Sequence, residues 1–187
     1  MGVRLMAIVA EGTRGRVYLA PTPEHEAAAL KAQPDWRPES SLPDDPRNFW
    51  TVQYGLTTYG DLFTPRQLVA LTGFSDLVGE AIEKIKRDAI AAGLPDDHQP
   101  LAKVGAGATA YAEAVGVYLA FALDKVVDRG SSLGRWDPTP TQSGIINTFS
   151  RQALPMTWDF AESNPLGAAS GNYVSATELV AKVASAF

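Results

Sequence analysis

The densest run of chemistry-bearing residues lies at 149–165, Phe-Ser-Arg-Gln-Ala-Leu-Pro-Met-Thr-Trp-Asp-Phe-Ala-Glu-Ser-Asn-Pro. It sets Arg151, Gln152, Trp158, Asp159, Glu162 and Asn164 among apolar neighbours, whereas the other long segments are Ala-rich and helical in pattern. Trp158 and Glu162 are four residues apart, so on a helix they share a face. Arg151 can pair with Asp159 or Glu162. Two readings of the cluster stand side by side. In the first it is an internal ion pair that locks a loop beneath a tryptophan, since buried charges are normally paired. In the second it is a surface for a substrate or a partner.

Other chemistries find no foothold. The chain has no cysteine, hence no disulfide framework, thiolate nucleophile or thiolate metal site. His25 and His98 are too few and too far apart to build a zinc site. No serine elbow, His–carboxylate nucleophile system or phosphate loop can be assembled from the spacing. Val104-Gly105-Ala106-Gly107-Ala108-Thr109-Ala110 matches the glycine pattern of dinucleotide-binding turns. No strand precedes it and no repeating strand–helix units follow, so it reads as a small-residue approach to a helix. Asn164-Pro165 begins like the Asn/Asp-Pro-Pro-aromatic motif of amino-methyltransferases, in which carbonyls accept hydrogen bonds from the target amine and the aromatic ring stacks on a flipped base. Leu166 and Gly167 stand where the second proline and the aromatic would be, so no catalysis is assigned to it.

The elements that position these residues follow from local signals. Residues 3–10 and 16–20, separated by Glu11-Gly12-Thr13-Arg14-Gly15, predict a β-hairpin. Pro23 opens a short helix reaching Ala32, with His25 on its surface. Residues 33–50 carry Pro34, Pro38, Pro43 and Pro46 and read as an irregular connector, pinned to the core by Trp36, Phe49 and Trp50. Thr64-Pro65-Arg66-Gln67 supplies an N-cap hydroxyl, a proline at the first helical position and a glutamine able to reach back. A long helix begins there. Its apolar stripe runs through Leu68, Leu71, Phe74, Val78, Ile82, Ile85 and Ala89, with Gly93 and Pro95 as its stop and Lys84, Lys86 and Arg87 on a solvated face.

After a loop at 96–100 that contains His98, a second helix is predicted over 109–129. Its apolar face carries Tyr111, Val115, Tyr118, Leu119, Ala122, Leu123 and Val126, and Gly130 terminates it. Two such helices pack antiparallel. Residues 134–140 read as a loop and 145–149 as a short apolar piece of open type. Pro155 opens a short helix through Glu162 that ends before Asn164-Pro165. A last helix carries Tyr173, Ala176, Val180, Val183 and Phe187 on one face, a stripe that runs into the chain end and implies a piece of something longer.

At 187 residues one domain is expected over 1–187, in three sections. These are the hairpin, short helix and connector of 1–50, the two-helix core of 64–130, and the polar run and C-terminal helix of 131–187. The fold class is α+β, mostly α, with long antiparallel helices and a small N-terminal β-hairpin. A net charge of −5 opposes a free-standing nucleic-acid binder, leaving any such role local and shared. Apolar runs break well before the ~20 residues of a bilayer span, and no secretory signal pattern opens the chain, so a cytoplasmic protein with no membrane partner is expected.

Three blocks resemble the large adenine-specific DNA methylases that carry an internal zinc ribbon and occur near phage-defence genes. They are residues 2–9, Gly-Val-Arg-Leu-Met-Ala-Ile-Val; residues 54–68, Tyr-Gly-Leu-Thr-Thr-Tyr-Gly-Asp-Leu-Phe-Thr-Pro-Arg-Gln-Leu, continuing to 74–78, Phe-Ser-Asp-Leu-Val; and residues 147–165, from Asn147 through Arg151, Trp158 and Glu162 to Pro165. The blocks span nearly the whole chain in the family's order. The resemblance implies a middle section of such an enzyme, with the S-adenosylmethionine glycine motif upstream and the Asp-Pro-Pro-Tyr motif downstream. It further implies no catalytic group, cofactor site or metal in this chain, which would be inactive alone. Its partners would be the remainder of the methyltransferase and DNA, with Arg66, Arg151, Gln152, Trp158 and Asn164 facing that remainder or the substrate. Leu166 departs from the phenylalanine the family places after Asn-Pro. The competing expectation is a structural or protein-interaction module whose polar run locks only its own fold.

Overall fold

The computed structural model describes residues 3–139, 144–169 and 171–186, and it has the predicted α+β, mostly α, character. The N-terminal hairpin forms, with β1 (Ile8–Gly12) antiparallel to β2 (Gly15–Leu19) and Val9 opposite Tyr18. Its strands run further into the turn than the sequence reading placed them, and residues 3–7 stay outside the sheet. Only Thr13 and Arg14 form the turn. Gly15 adopts a φ of 130°, which a side chain at that position resists. α1 (Pro23–Ala29) follows Thr22, whose amide donates to Nδ1 of His25 at 3.0 Å. The exposed imidazole therefore caps its own helix.

The connector is irregular as predicted, but its anchors differ. Leu42 enters a core with Leu62, Leu133 and Leu154, and Phe49 packs on that cluster. Trp36 and Trp50, predicted as anchors, remain 63% and 52% exposed. The cause is local pairing. The Leu42 amide donates to the Thr57 carbonyl at 2.8 Å and Ser41 bridges to Thr58, which turns Leu42 inward. The Trp50 indole donates to the Arg47 carbonyl at 3.0 Å, holding the ring along the surface at the start of α2 (Trp50–Gln53). Each buried leucine of this core contributes roughly 2 kcal/mol.

α3 (Pro65–Ala91) opens on the predicted capping box. Thr64 Oγ1 accepts from the Gln67 amide, and Gln67 Oε1 accepts from the Thr64 amide at 2.8 Å. Gly93, at φ 95°, ends the helix in the left-handed conformation that a terminating glycine allows. α4 (Ala108–Val127) returns antiparallel, since Leu71 near the start of α3 meets Ala122 and Val126 while Ile82 further along meets Gly116. The buried face of α4 is the predicted one only in part: Ala122 and Val126 are buried and Val115, Leu119 and Leu123 half-buried, but the two tyrosines are not. Tyr111 and Tyr118 are about half exposed, and the packed positions are Ala108, Ala112, Gly116, Ala122 and Val126. A Cβ on Gly116 would lie 2.5 Å from Ile82 Cδ1, so the helices approach too closely for tyrosine rings between them. Gly130 does not adopt a left-handed turn. The end of α4 tightens instead through Arg129 and Gly130 amides that donate to the Val126 and Val127 carbonyls.

β3 (Arg135–Asp137) pairs antiparallel with β4 (Gly144–Ile146), where the sequence suggested a loop followed by a piece of open type. α5 (Tyr173–Ala184) begins at Asn172, whose Oδ1 accepts from the Ser175 amide at 2.8 Å. Tyr173, Ala176 and Val180 pack against Ala122, Val126 and Leu71, and the Tyr173 ring stacks on Phe74 at 4.7 Å. Val183, predicted on the same stripe, is more than half exposed, and Phe187 lies outside the described residues.

Candidate binding surface on the 149–165 strap

The predicted helix at 155–162 does not form. The Leu154 amide donates to the Asn48 carbonyl at 2.7 Å and the Ala161 amide to the Gly134 carbonyl at 2.7 Å, while the Thr157 hydroxyl donates to the Leu133 carbonyl at 3.1 Å. Isolated bridges join Leu154 to Phe49 and Phe160 to Arg135. The Ala161 amide, which a helix would pair internally, is claimed by Gly134, and burial of Leu154 with its amide on Asn48 holds the start of the segment extended. The run is a strap across the first core. Trp158 and Glu162 therefore share no helix face.

Glu162 is the strap's fastening. Its Oε1 accepts from Arg66 Nε at 2.6 Å and its Oε2 accepts from Gln67 Nε2 at 2.5 Å, so both oxygens are engaged by the first turn of α3. Of the predicted site residues, the structure brings Arg66 and Glu162 together. The pairing of Arg151 with Asp159 or Glu162 is not made: Arg66 holds Glu162 instead, and no ion pair joins Asp159 among the described residues. Arg151, Gln152 and Asp159 are exposed, with no side-chain hydrogen bond or ion pair among the described residues. Asn164 turns back on its own backbone, Oδ1 accepting from the Leu166 amide at 3.0 Å. Gln67 was legible in the sequence only as a capping residue; its amide serves both the cap and the strap.

Trp158 does not sit beneath the fold. It is 65% exposed and meets Tyr54 edge to face, ring centroids 5.1 Å apart and planes at 79°. Tyr54 closes α2, four residues after the exposed Trp50, a spacing that sets the two rings on neighbouring turns. The i, i+4 spacing of Trp50 and Tyr54 was the available signal for this ridge. The rings offer stacking faces, and the exposed Arg151 and Gln152 offer hydrogen-bond donors. Both oxygens of Glu162 are engaged by Arg66 and Gln67, so that carboxylate is not free to take a proton.

The glycine-rich approach to α4 is filled by the protein itself. Asp97 Oδ2 accepts from the Ala106 amide at 3.0 Å, and Asp96 Oδ1 accepts from the Thr109 amide at 3.1 Å and its hydroxyl at 2.8 Å. Burial works against the charged form of Asp96. The hydrogen bonds from Thr109 and the His98 amide, with Lys86 Nζ at 3.3 Å, outweigh it and hold the carboxyl far below the usual range. The Ala106 and Gln99 amides likewise lower Asp97. A Cβ on Gly107 would lie 2.5 Å from the Asp97 nitrogen, so the glycines admit the protein's own backbone rather than a pyrophosphate. Lys86 belongs to this cluster and not to a freely solvated face.

A shallow cleft of about 190 Å³ lies between the end of α4 and the start of α5, bordered by Lys125, Arg129, Asn147 and Asn172, and no predicted site residue lines it. Among the described residues no group of three or more His, Asp or Glu side chains can hold a metal ion, and no helix is long and apolar enough to cross a membrane. No protein-family model, curated protein or solved structure matches this chain.

Proposed function

We propose that the chain is an accessory, target-recognition region of an S-adenosylmethionine-dependent, adenine-specific DNA methyltransferase of the cytoplasm. It has no cofactor of its own and no methyl transfer by itself. The support is the resemblance of the three sequence blocks to that family, together with one geometric observation. Glu162 fastens the most specific block as a strap whose Arg151, Gln152 and Trp158 point to solvent, where the remainder of the enzyme or the DNA can meet them. In this reading Arg66 and Glu162 position the strap, and Arg151, Gln152 and Trp158 make the contacts. The exposed Asp159 and Asn164 belong to the same contact surface, Asn164 with its Oδ1 already engaged by the Leu166 amide. The net charge of −5 makes the DNA contact local, with phosphate neutralisation left to the rest of the enzyme.

A second reading, a structural or protein-interaction module, is favoured by the fact that both Glu162 oxygens and the Asn164 carbonyl oxygen are satisfied within the chain. The two separate on Arg151→Ala introduced into the intact methyltransferase. The first reading expects methylation to fall at least tenfold with the circular dichroism and melting curve unchanged. Full activity would remove Arg151 from any functional role. Calorimetric titration of the isolated chain with S-adenosylmethionine should give no heat of binding, and tight binding would contradict both readings.

A further inference from the structure

The N-terminal hairpin is a two-stranded sheet, marginal by itself because three or more strands, or a covering helix, are needed for independent stability. All five residues of β2 are exposed. On one face of the strand Arg16 lies 5.2 Å over the Trp136 indole and Tyr18 meets the same ring edge-on at 6.5 Å. In a hairpin with a two-residue turn, the pair flanking the turn exchanges both main-chain bonds, and the alternation continues along the ladder. Gly15, Val17 and Leu19 therefore direct their main chain towards β1, opposite Gly12, Ala10 and Ile8. Arg16 and Tyr18 direct theirs away from it. Among the described residues no main-chain bond outside the hairpin reaches either of them. Such a row of open donors and acceptors is a template for strand addition.

We infer that the β2 edge pairs with the β2 edge of a second copy of this chain, joining two hairpins into a four-stranded antiparallel sheet. An antiparallel pairing of identical strands is two-fold symmetric and complements itself. Placing Val17 opposite Val17 of the second copy sets Arg16 opposite Tyr18 on both sides of the axis. Both are outward-directed residues, so each such pair exchanges two main-chain hydrogen bonds, four in all. The side chains agree with this register. Arg16 faces a tyrosine ring and not a like charge, and the two exposed valines meet on the opposite face in the close, non-hydrogen-bonded position. Pairing through β1 instead would bring its outward Glu11 to the seam, and the strand is preceded by residues outside any sheet. The inference concerns self-association and stands apart from the methyltransferase reading.

The test is sedimentation equilibrium of the chain over a range of concentration, with amide hydrogen exchange read by NMR. The expected result is a reversible dimer in which the amides of Arg16 and Tyr18 exchange more slowly as concentration rises. Tyr18→Pro deletes the outward N–H and leaves the bonds within the hairpin, so it should weaken the dimer roughly tenfold or more. Tyr18→Ala keeps that N–H and should retain the dimer. A chain that stays monomeric up to its solubility limit overturns the inference. So does a dimer that Tyr18→Pro leaves intact, or one whose protected amides lie elsewhere.

Discussion

The α3–α4 pair and the 149–165 strap each depend on one close contact, but of opposite kinds. The helix pair is held by an absence, the missing side chain at Gly116 that lets Ile82 come against the α4 backbone, and its main-chain bonds are local except where the amides of Ala108 and Thr109 reach Pro95 and Asp96. The strap has almost no bonds of its own. Its fastenings reach Asn48, Gly134 and Leu133, and through Glu162 the start of α3. A local ladder with a shared apolar seam rises and falls as a unit, whereas a strap fixed at separate points can open without unfolding what lies beneath.

The sharpest way to break the comparison is to fill the gap between the helices. Gly116→Leu would press a side chain into Ile82, where a Cβ alone already lies at 2.5 Å, and overpacking of this kind costs about 3 kcal/mol. Urea unfolding should show that loss in a single transition, because α5 and the second core rest on the same helices. A change below about 0.5 kcal/mol would mean that the close approach does not govern the pair.

A second test weighs polar anchoring outside the helices. Asp61, in the turn before α3, meets Arg37 at 2.6 Å and accepts from the amides of Thr57 and Thr58. Burial pushes its carboxyl up, but these donors prevail and hold it at about 2. A folded-state value below the unfolded one gives stability that is complete above about pH 4 and is lost as the pH falls towards 2, on the order of 2 kcal/mol. Asp61→Asn should be less stable than the parent by that amount at pH 6, and the two curves should converge near pH 2. Parallel curves across that range would show that the carboxylate carries no such load.

The same contrast explains how much of the molecule was legible in the sequence. The α3 cap, its stripe and its glycine stop are signals within a few residues of one another, and each formed as read. The hairpin was legible for the same reason, in existence if not in its ends. What failed depended on partners far along the chain. Tyr111 and Tyr118 satisfy the helical period, yet Gly116 and Ile82 decide which side of α4 is buried. Pro155 and the spacing of Trp158 and Glu162 satisfy a short helix, yet Asn48 and Gly134 claim the backbone first. The Arg66–Glu162 contact spans 96 positions, and no local pattern could have preferred it over Arg151 with Asp159. The exposed tryptophans fail as predicted anchors because ring size says how much area can be buried, not which neighbour will cover it.

The smallest effect tests the strap directly. Glu162→Ala releases Arg66, about a third exposed, and leaves Nε2 of the buried Gln67 without its partner while the Gln67 cap on Thr64 survives, so the global loss should be about 1.5 kcal/mol. A double-mutant cycle with Arg66→Ala should return a coupling of similar size. The informative readout is local. Amide exchange should quicken at Leu154 and Ala161, whose bonds the strap supplies, while the amides in the middle of α3 and α4 keep their protection. If protection fell equally in both, the strap would be part of the helical unit, and the display of Arg151 and Trp158 on a separately fastened element would lose its physical basis.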